Sequence, residues 1–71
     1  MKNGTKLSAG QMIVKSMDAA GRTVDAKLFD SGVRGLKKLF GRTDDLFSVE
    51  MYLVDEGLDQ DIASDIVYKH F

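Results

Sequence analysis

Two folds compete for residues 11–29, whose sequence is QMIVKSMDAAGRTVDAKLF. The first is a β-hairpin that turns at residues 18–21, where an aspartate opens the turn and a glycine takes its left-handed position. Lys15 then lies opposite Asp25, an opposite-charge pair that stabilises a two-stranded ladder. One face of this hairpin would carry the pairs Met12 with Leu28, Val14 with Ala26, and Ser16 with Val24.

The second fold makes the same segment helical, with Ser8 as the N-cap and Gln11 completing a capping box. Its apolar stripe is only partial: Met12, Ile13, Met17 and Ala20. Because residues 23–28 alternate at period two, as a half-buried strand does, the pattern favours the hairpin. We therefore predict an α+β fold, an N-terminal β-hairpin packed on roughly three short helices, since a lone hairpin is not stable. The alternative is an all-α four-helix bundle.

Helix signals follow the hairpin segment. The three predicted helices, each given with its capping residue, cover residues 32–40 (Asp30 or Ser31), 44–56 (Thr43) and 60–70 (Asp59). Gly32 and Gly35 weaken the first helix, so it needs packing to persist. The second is apolar over most of its circumference, which indicates a central position or one side committed to a partner.

Length and composition restrict the class of protein. The chain has 71 residues, 44% of them hydrophobic, so we predict one small domain over residues 1–71 with residues 1–6 as a flexible arm. It has no cysteine and a single histidine, which excludes disulfides, cysteine-based zinc sites and histidine clusters. It contains no long apolar run and no secretory leader. We therefore expect a cytoplasmic protein that does not enter membranes.

The net charge of −1 hides a strong segregation of charge along the chain. Residues 1–42 hold nine basic and three acidic side chains, a net charge of +6. Residues 43–71 hold one basic and eight acidic side chains, a net charge of −7. Arguments about binding partners must therefore treat the two parts separately.

Nothing in the sequence supports catalysis. His70 is the only imidazole, and it lies on the apolar side of the last helix, where packing or capping explains it. The serines have no second histidine to activate them, and the glycines of residues 32–35 lack the lysine of a phosphate loop. We expect no enzyme activity, no cofactor and no metal.

Two charged surfaces are candidate binding sites. The acidic candidate carries an aromatic residue and suits a basic protein surface; it consists of Asp55, Glu56, Asp59, Asp61, Asp65 and Tyr68. The basic candidate would meet nucleic acid; it consists of Arg34, Lys37, Lys38 and Arg42. The helices around Gly57 have helix-turn-helix spacing, but the second is acidic where DNA phosphates would require cations.

These observations predict a small protein-interaction module that binds and modulates a larger protein through its acidic face. Inhibition is one mode of modulation that this hypothesis covers, and a nucleic-acid-handling enzyme is one kind of larger protein that it covers. In its small size and its lack of cofactor motifs, the chain is similar to phage-like accessory proteins. The alternative is a nucleic-acid-binding accessory protein that uses the basic face. A homodimer through Phe47, Met51 and Tyr52, or head-to-tail association of the two charged parts, is a further hypothesis.

Overall fold

The computed structural model describes residues 7–41 and 43–71. The predicted flexible arm, residues 1–6, and Arg42 lie outside the described residues. The described residues form four helices and no strand. In chain order these are α1 (Ala9–Lys15), α2 (Ala26–Phe40), α3 (Leu46–Asp55) and α4 (Gln60–His70).

The predicted β-hairpin is wrong, although its turn is present. The Gly21 N–H donates to the Asp18 carbonyl at 2.9 Å, and Gly21 has the positive φ of 79° that the turn requires. One antiparallel bridge forms, between Met17 and Thr23, in the predicted register. The ladder stops there because the residues before and after it enter helices. Residues 7–41 and 43–71 therefore form an all-helical fold and not an α+β fold.

Helical periodicity explains why the hairpin fails. Phe29, Val33 and Leu36 are buried on one side of α2, at the spacing of successive helical turns. Ile13, which the hairpin would place on its solvent side, is fully buried. Val24, which the hairpin would bury, is exposed. Burial of one continuous helical stripe is incompatible with the period-two pattern of a strand.

Capping residues set the helix boundaries. Ser8 caps α1 by accepting from the Gln11 N–H at 3.2 Å, as the helical alternative required. Asp25 caps α2, so this helix begins at Ala26 and not at residue 32. The N-cap of α3 is Asp45 and not Thr43, whose Oγ1 accepts instead from the Asp45 N–H. The prediction for α4, residues 60–70 capped by Asp59, is confirmed.

The N-terminal pair, α1 and α2, packs at very close range because of glycine. A Cβ on Gly32 would lie 2.6 Å from Ile13 Cγ1 and 3.1 Å from the Ala9 carbonyl oxygen. A Cβ on Gly35 would lie 2.9 Å from Ala9 Cβ. The glycines that weaken α2 as an isolated helix therefore create the depression in which α1 lies.

The C-terminal pair, α3 and α4, forms a second helical hairpin around Gly57, which has φ of 112°. Val49 and Leu53 of α3 join Ala63, Ile66 and Val67 of α4 in the same core as Ile13 and Leu36. Glu50 is buried with 7% of its surface exposed. Its carboxylate accepts a hydrogen bond at 3.3 Å from Nε2 of Gln60, which fixes the start of α4 beside the middle of α3.

Candidate protein-interaction surface

The outer side of α4 brings three of the predicted acidic-site residues together. Asp61, Asp65 and Tyr68 follow one another at spacings of four and three residues, so they project from the same side of the helix. All three are exposed, and Tyr68 has 68% of its surface open to solvent. The opposite side of α4 is buried in the core. A tyrosine this exposed contributes little to folding and is available for contact with a partner.

Two further predicted residues lie where α3 ends and α4 begins. Asp55 is the last residue of α3 and is exposed. Asp59 is exposed as well, and its carboxylate accepts from the Asp61 N–H at 2.9 Å as the cap of α4. We use "acidic surface" for the five residues that face solvent here: Asp55, Asp59, Asp61, Asp65 and Tyr68.

Glu56, the sixth predicted residue, is held against α1. The Ser8 hydroxyl donates to its carboxylate at 2.6 Å, and Gln11 Nε2 donates to its carbonyl at 3.5 Å. Its side chain also lies against Gly10, where a Cβ would collide with it. Glu56 therefore joins the two helical pairs, and we leave it out of the acidic surface.

The acidic surface keeps most of its negative charge. Lys69 pairs with Asp65 at 3.4 Å, but both side chains are more than 60% exposed, and such a pair contributes little in water. No basic residue occurs between residues 43 and 68. The surface therefore presents a negative potential to an approaching partner.

The basic candidate is also exposed, on the outer side of α2. Arg34, Lys37 and Lys38 all face solvent, while Arg42 lies outside the described residues. No ion pair involves these three cations within residues 7–41 and 43–71. Lys27 joins them, because α2 begins at Ala26 and spacings of seven and four residues place Lys27, Arg34 and Lys38 on one side. Lys27 is absent from the predicted basic site because the hairpin prediction placed this residue in a strand.

Apolar side chains are exposed on α3. Phe47 is 64% exposed, and Met51 and Val54 are half-buried at spacings of four and three residues along the same side. We call these three residues the apolar stripe. Tyr52, which the dimer hypothesis grouped with Phe47 and Met51, packs instead on Phe40 with ring centroids 5.5 Å apart. The hypothesised dimer face is therefore divided between two sides of α3.

Two carboxyl groups have lowered pKa values, and both serve the fold. The Arg22 N–H and guanidinium, which bond to Asp18 at 3.0 and 2.9 Å, lower the pKa of that carboxyl group. The Ser48 hydroxyl and N–H, at 2.7 and 3.2 Å, lower the pKa of Asp45 at the start of α3. These groups shape a turn and a helix end, outside the acidic surface.

The geometry offers little for chemistry. His70 packs edge-on against Phe29, with ring centroids 5.4 Å apart. Two surface hollows, of about 610 and 520 Å³, are open grooves along α2 and beside the end of α4. Across the described part of the chain, no three histidine or acidic side chains are placed to hold a metal ion.

Among the described residues, no helix has both the length and the apolar character needed to traverse a bilayer. No family model, curated protein sequence or solved structure matches this chain significantly. The class of the protein is therefore defined by its own features: a small chain of two helical hairpins that segregates its charges between them.

Proposed function

We propose that the protein is a small, non-enzymatic, cytoplasmic interaction module that binds a larger protein through the acidic surface and modulates it, including by inhibition. The observation that carries this proposal is the exposure of Tyr68 on the same side of α4 as the carboxylates of Asp61 and Asp65. Aromatic residues contribute strongly to binding energy at interfaces. Carboxylates around such a residue select a positively charged partner and accelerate its association.

Capture from lysate with matched charge reversals tests the proposal. The bait is the full chain, either wild type, Asp61→Lys/Asp65→Lys, or Lys37→Glu/Lys38→Glu as the control on α2. A specific protein is expected with the wild type and with the α2 control, and its recovery should fall at higher salt. Loss of that protein with the α2 control, and its retention after reversal of α4, would contradict the proposal.

A second function rests on the free cations of α2. Lys27, Arg34 and Lys38 form a basic stripe that includes one acidic residue, Asp30, and makes no ion pair among the described residues, so nucleic-acid binding is the alternative. It predicts that the chain retards DNA or RNA in a mobility-shift assay, with affinity falling steeply as salt rises. Lys37→Glu/Lys38→Glu should abolish the shift. No shift at low salt would exclude this function.

A further inference from the structure

The apolar stripe of α3 is most open at Phe47, while Met51 and Val54 are half-buried and Val54 packs against the core. Phe47, Met51 and Val54 occur at positions i, i+4 and i+7 and cover successive turns of one side. Their exposure is greatest at Phe47, at the start of the helix. This is the spacing with which one amphipathic helix packs along another.

The charged residues that flank the stripe within residues 43–68 are all acidic. Asp44 and Asp45 are exposed before it, and Asp55 is exposed after it. Residues 43–68 contain eight acidic and no basic side chains. A partner that covers the stripe must therefore bring cations to its edges, because carboxylates there would repel.

The acidic side of α4 begins next to the stripe. Glu50 lies three residues after Phe47 and four before Val54, so it is their neighbour on the helix surface. The hydrogen bond from Gln60 to Glu50 places the first turn of α4 along that flank. Asp61 follows Gln60 directly and is exposed. The acidic side of α4 therefore begins one residue after the side chain that borders the stripe, and we take the stripe and the acidic surface together as the contact region.

We propose that this region binds a basic amphipathic helix of another protein. The apolar side of that helix covers the stripe, and its lysines or arginines meet the carboxylates of α3 and α4. This inference rests on the proposed function and specifies the chemistry of the partner.

A second copy of the chain does not meet these requirements. A symmetric contact between two α3 helices would place the acidic ends of one copy against those of the other. The basic helix α2 has the right charge, but Phe29, Val33 and Leu36 are buried in its own core, and Leu39 is the one large apolar side chain of α2 that is exposed, which is too little to cover a stripe of two turns. The occupant is therefore a helix whose apolar side is free.

Two synthetic peptides test the inference. The first is an amphipathic helix of leucine and lysine, about 18 residues long, and the second carries glutamate at every lysine position. Each is labelled and titrated with the full chain by fluorescence anisotropy. The lysine peptide is expected to bind and the glutamate peptide is not. Equal binding of both peptides, or of neither, would overturn the inference.

A matched pair of variants locates the contact. Phe47→Ser removes the most exposed residue of the stripe, and Leu39→Ser removes an equally exposed leucine from α2. Phe47→Ser should weaken the binding of the lysine peptide roughly tenfold or more, and Leu39→Ser should leave the affinity for this peptide unchanged. Both variants should retain the helical circular dichroism spectrum. Equal affinities for the two variants would overturn the inference. So would a wild-type dimer in sedimentation that Phe47→Ser dissociates, since a second copy would then occupy the stripe.

The failure of this inference is distinguishable from failure of the proposed function. If Asp61→Lys/Asp65→Lys abolishes peptide binding and Phe47→Ser does not, the stripe is excluded and the acidic surface stands. If Phe47→Ser abolishes binding and the charge reversal does not, the stripe stands and the proposed role of α4 is excluded.

Discussion

The N-terminal and C-terminal pairs solve the same packing problem in opposite ways. The N-terminal pair brings α1 onto α2 through Gly32 and Gly35, so Ala9 and Ile13 lie directly against the α2 backbone. The C-terminal pair has no glycine within its helices and packs through side chains such as Leu53 and Ile66. Each pair leaves an apolar side chain largely exposed, Leu39 in the first and Phe47 in the second, but the exposed aromatic side chains of the helices, Phe47 and Tyr68, both belong to the second pair.

Charge follows the same division. The outer side of α2 is basic and the outer side of α4 is acidic, and the contacts between the two pairs, such as Phe40 on Tyr52 and Ser8 on Glu56, involve neither of these sides. Each charged side is therefore open to solvent. Only the acidic one is joined to exposed aromatic residues, which is why we assign binding to the C-terminal pair.

The largest expected effect compares one phenylalanine from each pair. Phe29 is 9% exposed and Phe47 is 64% exposed. Phe29→Ala should cost about 3–5 kcal/mol of unfolding free energy because it opens a cavity, whereas Phe47→Ala should change it by less than about 0.5 kcal/mol. Urea denaturation followed by circular dichroism measures both. Phe29→Leu, with a loss of about 1.5 kcal/mol, replaces Phe29→Ala if that variant does not fold. Comparable losses at positions 29 and 47 would break the comparison.

The next effect tests the close contact of the N-terminal pair. Gly32→Ala should cost about 1–3 kcal/mol, because the added methyl group meets Ile13 and the Ala9 backbone. Gly35→Ala is the matched control, since its methyl group meets chiefly the Ala9 methyl group and the gain in helix propensity, about 1 kcal/mol, offsets the strain. Thermal denaturation of both variants measures the difference. A larger loss for Gly35→Ala would show that α1 does not lie in this depression.

The smallest effect concerns acid sensitivity, with one carboxyl group in each pair. Folding lowers the pKa values of Asp18 and Asp45 from 3.8, so their stabilisation is present above that pH and is lost as the pH falls through the folded values. Asp18→Asn and Ser48→Ala, which removes the main cause of the Asp45 shift, should each flatten the loss of stability below about pH 4. Urea midpoints across this range measure the slope. An unchanged slope in both variants would contradict the account.

Sequence alone predicts α4 and its outer side well. Asp59 is a strong cap, and Ile62, Ala63, Ile66 and Val67 give one clean stripe. The exposure of Asp61, Asp65 and Tyr68 follows from that stripe. The local sequence was sufficient here because the eleven residues of α4 themselves define the ends and the apolar side of the helix.

The hairpin error and the roles of Gly32 and Glu56 have a different origin. The turn at residues 18–21 uses the same chemistry whether it joins strands or helices, and six alternating residues are too few to exclude a helix. The role of Gly32 depends on its close contact with Ile13 of α1. The role of Glu56 depends on the hydrogen bond from Ser8, which is 48 residues away in sequence. Contacts between distant segments are tertiary and leave no local pattern.

The most direct test of the central claim is a map of the contact region on the intact chain. ¹H–¹⁵N spectra of the full chain are recorded during titration with the leucine–lysine helical peptide. We expect shifts in the amide signals of α3 and of the outer side of α4, around Phe47, Met51, Asp61 and Tyr68. The amide signals of Arg34 and Lys38 should not move. Shifts confined to α2, or shifts absent throughout, would contradict the central claim.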